Sequence, residues 1–152
     1  MDLHPDLTDF LTALESSHAE YLVVGGWAVS IHAEPRYTKD LDLFIGPSPE
    51  NLQRVVHALG EYGAPKGLVD EVASMTVEEF VFFGVPPARI DLLRAIPGVE
   101  FAQAWSRRKT LVWKQTKVNV LGFDDLCAAK KAAGRRKDLD DLATLRKFAK
   151  KR

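Results

Sequence analysis

The hydrophobic residues of the chain repeat with two alternating periods, and the switches between them mark out the expected elements. Leu7, Phe10, Leu11 and Leu14 fall on one helical face and predict an amphipathic helix over 6–17. Tyr21–Val24 (YLVV) is a short β-prone run that stops at Gly25-Gly26. Trp27, Ala28, Val29 and Ile31 then suit a buried helical turn or two, which Pro35 ends. DLDLFI, Asp40–Ile45, alternates polar and apolar over its first positions, as a strand with one face in the core does. Ser48-Pro49 is a cap followed by a first-turn proline. Leu52, Val55, Val56 and Leu59 form the apolar stripe of the helix it opens, which closes at Tyr62-Gly63.

Two strands are expected next, at 79–85 (EFVFFGV) and at Arg89–Leu93 (RIDLL), paired across the turn-forming Pro86-Pro87. Residues 110–113 and 117–120 predict a smaller hairpin. Asp124 or Asp125 then caps a helix running to about Ala133, and Gly134 breaks it. A last helix from about Lys137 carries Leu139, Leu142, Leu145 and Phe148 on one side.

Length and composition narrow the class. At 152 residues the chain fits one domain, residues 1–152, with 46% hydrophobic and 28% charged residues and no internal repeat or interdomain linker. Lys plus Arg (21) balances Asp plus Glu (21), so the whole chain has no general affinity for a polyanion. Residues 124–152 nevertheless hold ten Lys/Arg against five Asp, which either attracts a triphosphate or RNA end or is a solvated helix face. Cys127 is the only cysteine, which excludes an intrachain disulfide and suggests a reducing compartment. MDLHPDL lacks signal-peptide character, and no apolar run approaches the ~18 residues of a membrane span. A cytoplasmic protein with no membrane partner is expected.

The chemistry concentrates in VVGGWAVSIHAEPRYTKDLDLFI, residues 23–45. Side chains two apart on a strand point the same way, so Asp40 and Asp42 present two carboxylates on one face while Leu41 and Leu43 face the core. A divalent cation relieves their repulsion. Hard oxygen ligands suit magnesium, which takes one or two protein carboxylates and completes its shell with water and phosphates. Such a pair alone is common on edge strands, so its context decides. Asp91 puts a third carboxylate on a strand. If that strand lies beside the first, the three can hold two metal ions about 3.5 to 4 Å apart, as phosphoryl and nucleotidyl transfer require; a structural ion pair with Arg89 or Arg94 is the alternative. Gly25 and Gly26 sit where a strand turns into a helix, letting backbone N–H groups approach phosphates. Arg36 either binds phosphate or braces the loop.

This block resembles the signature of the DNA polymerase β-like nucleotidyltransferase superfamily, a Gly-Gly or Gly-Ser turn followed by Asp-x-Asp and a later acidic strand residue. The resemblance implies an α/β (α+β) fold, a mixed sheet flanked by helices. The α/β core would cover 1–122, with C-terminal helices over 123–152 packed on it. It further implies two magnesium ions on Asp40, Asp42 and Asp91. These would transfer a nucleoside monophosphate from a nucleoside triphosphate to an acceptor, releasing pyrophosphate.

Within the superfamily, GGWAVSIHAEPRYTKDLDLFI is similar to bacterial nucleotidyltransferases grouped with the AbiEii toxins. FDDLCAAKKAAGRRKDLDDLATL is similar to that group's C-terminal helices, which implies substrate-facing roles for Lys130, Arg135 and Asp138. With GVPPARIDLLRAIPGVEF between them, the likeness spans about residues 20–146. It implies a protein, tRNA or small-molecule acceptor and a cognate toxin or antitoxin partner. Trp27 departs from the serine common after the glycines, so backbone amides alone would hold the triphosphate there. GGWA also occurs in aminoglycoside and lincosamide adenylyltransferases, which keeps an antibiotic-modifying adenylyltransferase as an alternative, although those usually lack the tail. A catalytically silent antidote protein on the same fold is the rival from another class.

The remaining candidates have plainer readings. His32 suits a packed helix position, and without a Cys/His cluster a zinc site is not expected. Trp27, Trp105 and Trp113 suit the core, and only Trp27, beside the glycines, has stacking on a base as an alternative. Of Lys130 and Lys131, at most one can face a site.

Overall fold

The computed structural model describes residues 3–150. The chain order is α1 (Pro5–Ser16), β1 (Tyr21–Val24), α2 (Gly25–His32), β2 (Asp40–Ile45), α3 (Pro49–Tyr62), α4 (Lys66–Ala73), β3 (Phe80–Phe83), β4 (Arg89–Leu93), α5 (Phe101–Ser106), β5 (Lys109–Trp113), β6 (Thr116–Val120), α6 (Phe123–Ala133) and α7 (Arg136–Ala149). The strands form one sheet in the order β3-β4-β2-β1-β6-β5. β2 runs parallel to β4 and β1 parallel to β6, while β1–β2, β3–β4 and β5–β6 are antiparallel. This is the mixed sheet with flanking helices that the resemblance implies.

The two faces of the sheet differ in chemistry because strand side chains alternate. Leu41, Leu43, Ile90 and Leu92 are buried on one face. Phe83, in register with Ile90, extends that face and meets Phe10 of α1 edge-on at 5.3 Å, with Tyr62 of α3 6.2 Å away. The opposite face carries Asp40, Asp42 and Asp91, and α2, α6 and α7 pack together on that side. Phe44, two residues beyond Asp42, instead packs against Phe101 of α5 at 5.1 Å.

α3 has the expected punctuation: the Ser48 hydroxyl accepts from the Asn51 N–H at 3.1 Å, and Gly63 ends the helix at φ 91°. Three expectations need correction. α6 begins after Gly122 with no side-chain cap, because Asp125 accepts two bonds from Arg107, at 3.0 and 2.8 Å. α4 and α5 were not foreseen; both are short, and α4 buries only Val72. On α7, Leu139 is 48% exposed while Asp138 and Asp141 are buried, so the inward stripe begins with carboxylates. Among the described residues, no helix is long and apolar enough to cross a membrane.

Candidate active site

The parallel pairing of β2 with β4 sets the register Asp40↔Arg89 and Asp42↔Asp91. Strands that begin DLD and RID therefore bring the three carboxylates and Arg89 onto one face. Burial pushes Asp42 up to about 7, helped by the charges of Asp91 and Asp40 and opposed by Lys130 and Lys137. Arg89 is the local counter-charge: its Nε donates to Asp91 at 2.9 Å, lies 3.8 Å from Asp40, and its guanidinium stacks 4.0 Å above the Phe82 ring. Among the described residues, no three acidic, histidine or cysteine side chains stand close enough to ligate one ion. Arg89 holds Asp91 in the structural ion pair that the sequence left as an alternative.

Above Asp42 the chain turns directly from β1 into α2. Gly25 has φ 66°, and a Cβ there would run into the Asp42 carboxylate. A Cβ at Gly26 would come within 2.9 Å of Thr38 Cγ2. The glycines thus let the start of α2 lie against the carboxylates and against the strap 33–39. No side chain caps that helix start, which leaves its first N–H groups to other partners.

The strap is tied to the C-terminal helices. Arg36 donates through both terminal nitrogens to Asp141, at 2.5 and 3.2 Å. Lys130 Nζ lies 2.9 Å from Asp141 and 3.4 Å from Asp138. Arg135 closes the chain with a 2.7 Å bond to Asp138, which holds the Asp138 carboxyl below its ordinary range, Lys130 adding to the effect. At Asp141 burial pushes upward, but the bonds from Arg36 and Lys130 outweigh it and the carboxyl stays low.

A cleft of about 300 Å³ opens at this end of the sheet, lined by Gly26, Arg36, Thr38, Lys39, Asp40, Asp42 and Lys137. It gathers Asp40, Asp42, Gly26 and Arg36 from the sequence candidates, with Gly25 directly beneath. Asp91, Lys130, Arg135 and Asp138 do not line it. Asp138 is 1% exposed and Lys130 8%, so both point into the protein, while the Arg135 side chain is largely exposed. Lys137 and Asp141 were missed. Their signal was helical phase: Lys137 and Asp141 are i,i+4 neighbours, and Asp138, Asp141, Leu142 and Leu145 share the buried face, which obliges the acids to find buried cations. His32 is packed, with Nε2 2.7 Å from the Leu121 carbonyl oxygen.

Residues 5–147 match a family described as nucleotidyltransferase of unknown function (DUF6036), and the chain belongs to it. Among solved structures the chain is similar to an antigenic nucleotidyltransferase-like protein from Paracoccidioides brasiliensis. The two share 18% identity and a TM-score of 0.50, over 94% of this chain and 77% of the other, a likeness of fold. No curated protein matches.

Proposed function

We propose that this member of the nucleotidyltransferase family carries out magnesium-dependent transfer of a nucleoside monophosphate from a nucleoside triphosphate to an acceptor hydroxyl. The observation that carries the reading is the register that sets Asp42 beside Asp91, with Asp40 on the same face, under the Gly25-Gly26 helix start.

The residues fit a divalent cation. A half-buried carboxylate raised to about 7 by burial and then by its acidic neighbours has too little positive charge around it, and the donors are hard oxygens. Asp40 and Asp42 would hold magnesium, which supplies charge neutralisation on the transferring phosphoryl group when bound. Asp91 joins them only if its bond to Arg89 gives way. The start of α2 and the cations Arg36, Lys39 and Lys137 face the triphosphate. The acceptor oxygen forms a bond to the α-phosphorus, the α–β bridging bond breaks, pyrophosphate leaves toward those cations, and Asp91 takes the acceptor proton. Lys130, Arg135 and Asp138 are positioning residues in this scheme, since they fix Asp141 and through it the strap. Residues 1–122 and 123–152 act as one unit, because the cleft needs Lys137 as well as the strands.

Similarity of the glycine block and the C-terminal helices to the AbiEii group supports a toxin-antitoxin setting with a protein or tRNA acceptor. A second reading, a binding protein that keeps the fold without turnover, is favoured by the Arg89 bond to Asp91. One experiment separates them: incubation with each α-labelled nucleoside triphosphate, magnesium, total tRNA and cell lysate, comparing the wild type with Asp40→Ala. Label transfer that falls by about 100-fold or more in the variant is expected. Absence of transfer under every condition, with no magnesium effect on thermal stability, supports the silent protein.

A further inference from the structure

Beside the carboxylate cleft lies a larger pocket of about 670 Å³, within the size range of small-molecule sites, and the two share Arg36 and Thr38. Its walls are largely apolar: Trp27 directly after the glycines, Pro35 and Tyr37 on the strap, Pro87 from the β3–β4 turn, and Leu3 and Pro5 with His4 between them at the start of α1. Arg36 and Lys114 bring positive charge to it, and among the described residues no aspartate or glutamate lines it. Tyr37 is 75% exposed although its neighbour Arg36 is anchored by Asp141, which leaves an aromatic ring in water at the pocket. Trp27 is held from behind by the edge-on ring of Trp113, with centroids 6.0 Å apart.

Resting on the nucleotidyl-transfer reading, we infer that this pocket holds the base and ribose of the donor nucleoside triphosphate. The polyphosphate then lies across the start of α2 in the adjoining cleft. An aromatic, proline-walled cavity with basic and no acidic lining is complementary to a flat, neutral ring that carries an anionic tail. Continuity through Arg36 and Thr38 puts base and phosphates within reach of one ligand, and stacking on the exposed Tyr37 ring, with buried Trp27 as the wall behind, is tolerant of base identity.

The test is calorimetric titration with magnesium and each of the four ribonucleoside triphosphates, and separately with inorganic tripolyphosphate. The proteins are the wild type, Tyr37→Ala and Trp27→Leu. Tyr37 is a surface position, so its variant remains informative if loss of the buried tryptophan prevents folding. At least one nucleoside triphosphate is expected to bind about tenfold more tightly than tripolyphosphate. Tyr37→Ala should narrow that gap while leaving tripolyphosphate affinity unchanged. Equal affinities in the wild type, or unchanged nucleotide affinity in both variants, overturn the base pocket and leave the transfer reading standing. If neither ligand binds, the transfer reading falls and takes this inference with it.

Discussion

Asp42 is the residue on which the site turns. Its carboxyl, ordinarily near 3.8, is raised to about 7 by burial and by Asp91 and Asp40. A group that holds its proton more tightly folded than unfolded favours the folded state below its unfolded pKa, and that advantage disappears as pH rises through about 7. In metal-free buffer, Asp42→Asn, which cannot ionise, is therefore expected to melt a few degrees above the wild type at pH 8. The difference should shrink toward pH 5, as thermal melts across that range would record; a difference independent of pH would show that Asp42 carries no such burden. Asp40, Asp42 and Asp91 were legible in the sequence because spacing along a strand fixes the face a side chain occupies, and Gly25 and Gly26 because they end the β-prone run before a helix. The Arg89 bond to Asp91 was not decidable there. It depends on the rotamer that Phe82 of the neighbouring strand supports beneath the guanidinium.

At the scale of elements, the strands and longer helices followed from periodicity, whereas α4 and α5 did not. Helices of eight and six residues that bury one or two side chains leave almost no periodic signal. α7 was read with the wrong stripe for a physical reason. Its buried face meets Lys130 and the strap arginine, so Asp138 and Asp141 occupy positions that an apolar count assigns to leucine. Asp141 is the joint between helix and strap. Asp141→Ala leaves Lys130 with Asp138 as its remaining carboxylate and releases Arg36. It is expected to lower stability by about 3 kcal/mol, measured by denaturant unfolding. Asp140→Ala, whose side chain belongs to an exposed residue of the same helix, should change it by less than about 0.5 kcal/mol. Equal effects would mean that the network does not hold the strap.

Across the whole molecule, the sheet separates two tasks. One face is apolar and packs α1 and α3; the other is acidic and is closed by α2 and the C-terminal helices, whose excess of basic residues partly answers it. The neutral overall charge concealed this division, since sequence gives the sum of charges and folding gives their arrangement. The proposed reaction requires the acidic face to hold a divalent cation. Titration with Mn2+ followed by electron paramagnetic resonance tests it directly, using the wild type and Asp42→Asn. Saturable binding in the wild type, weakened about tenfold or more in the variant, is the predicted result. Identical affinities in the two proteins, or no saturable binding in the wild type, would contradict it.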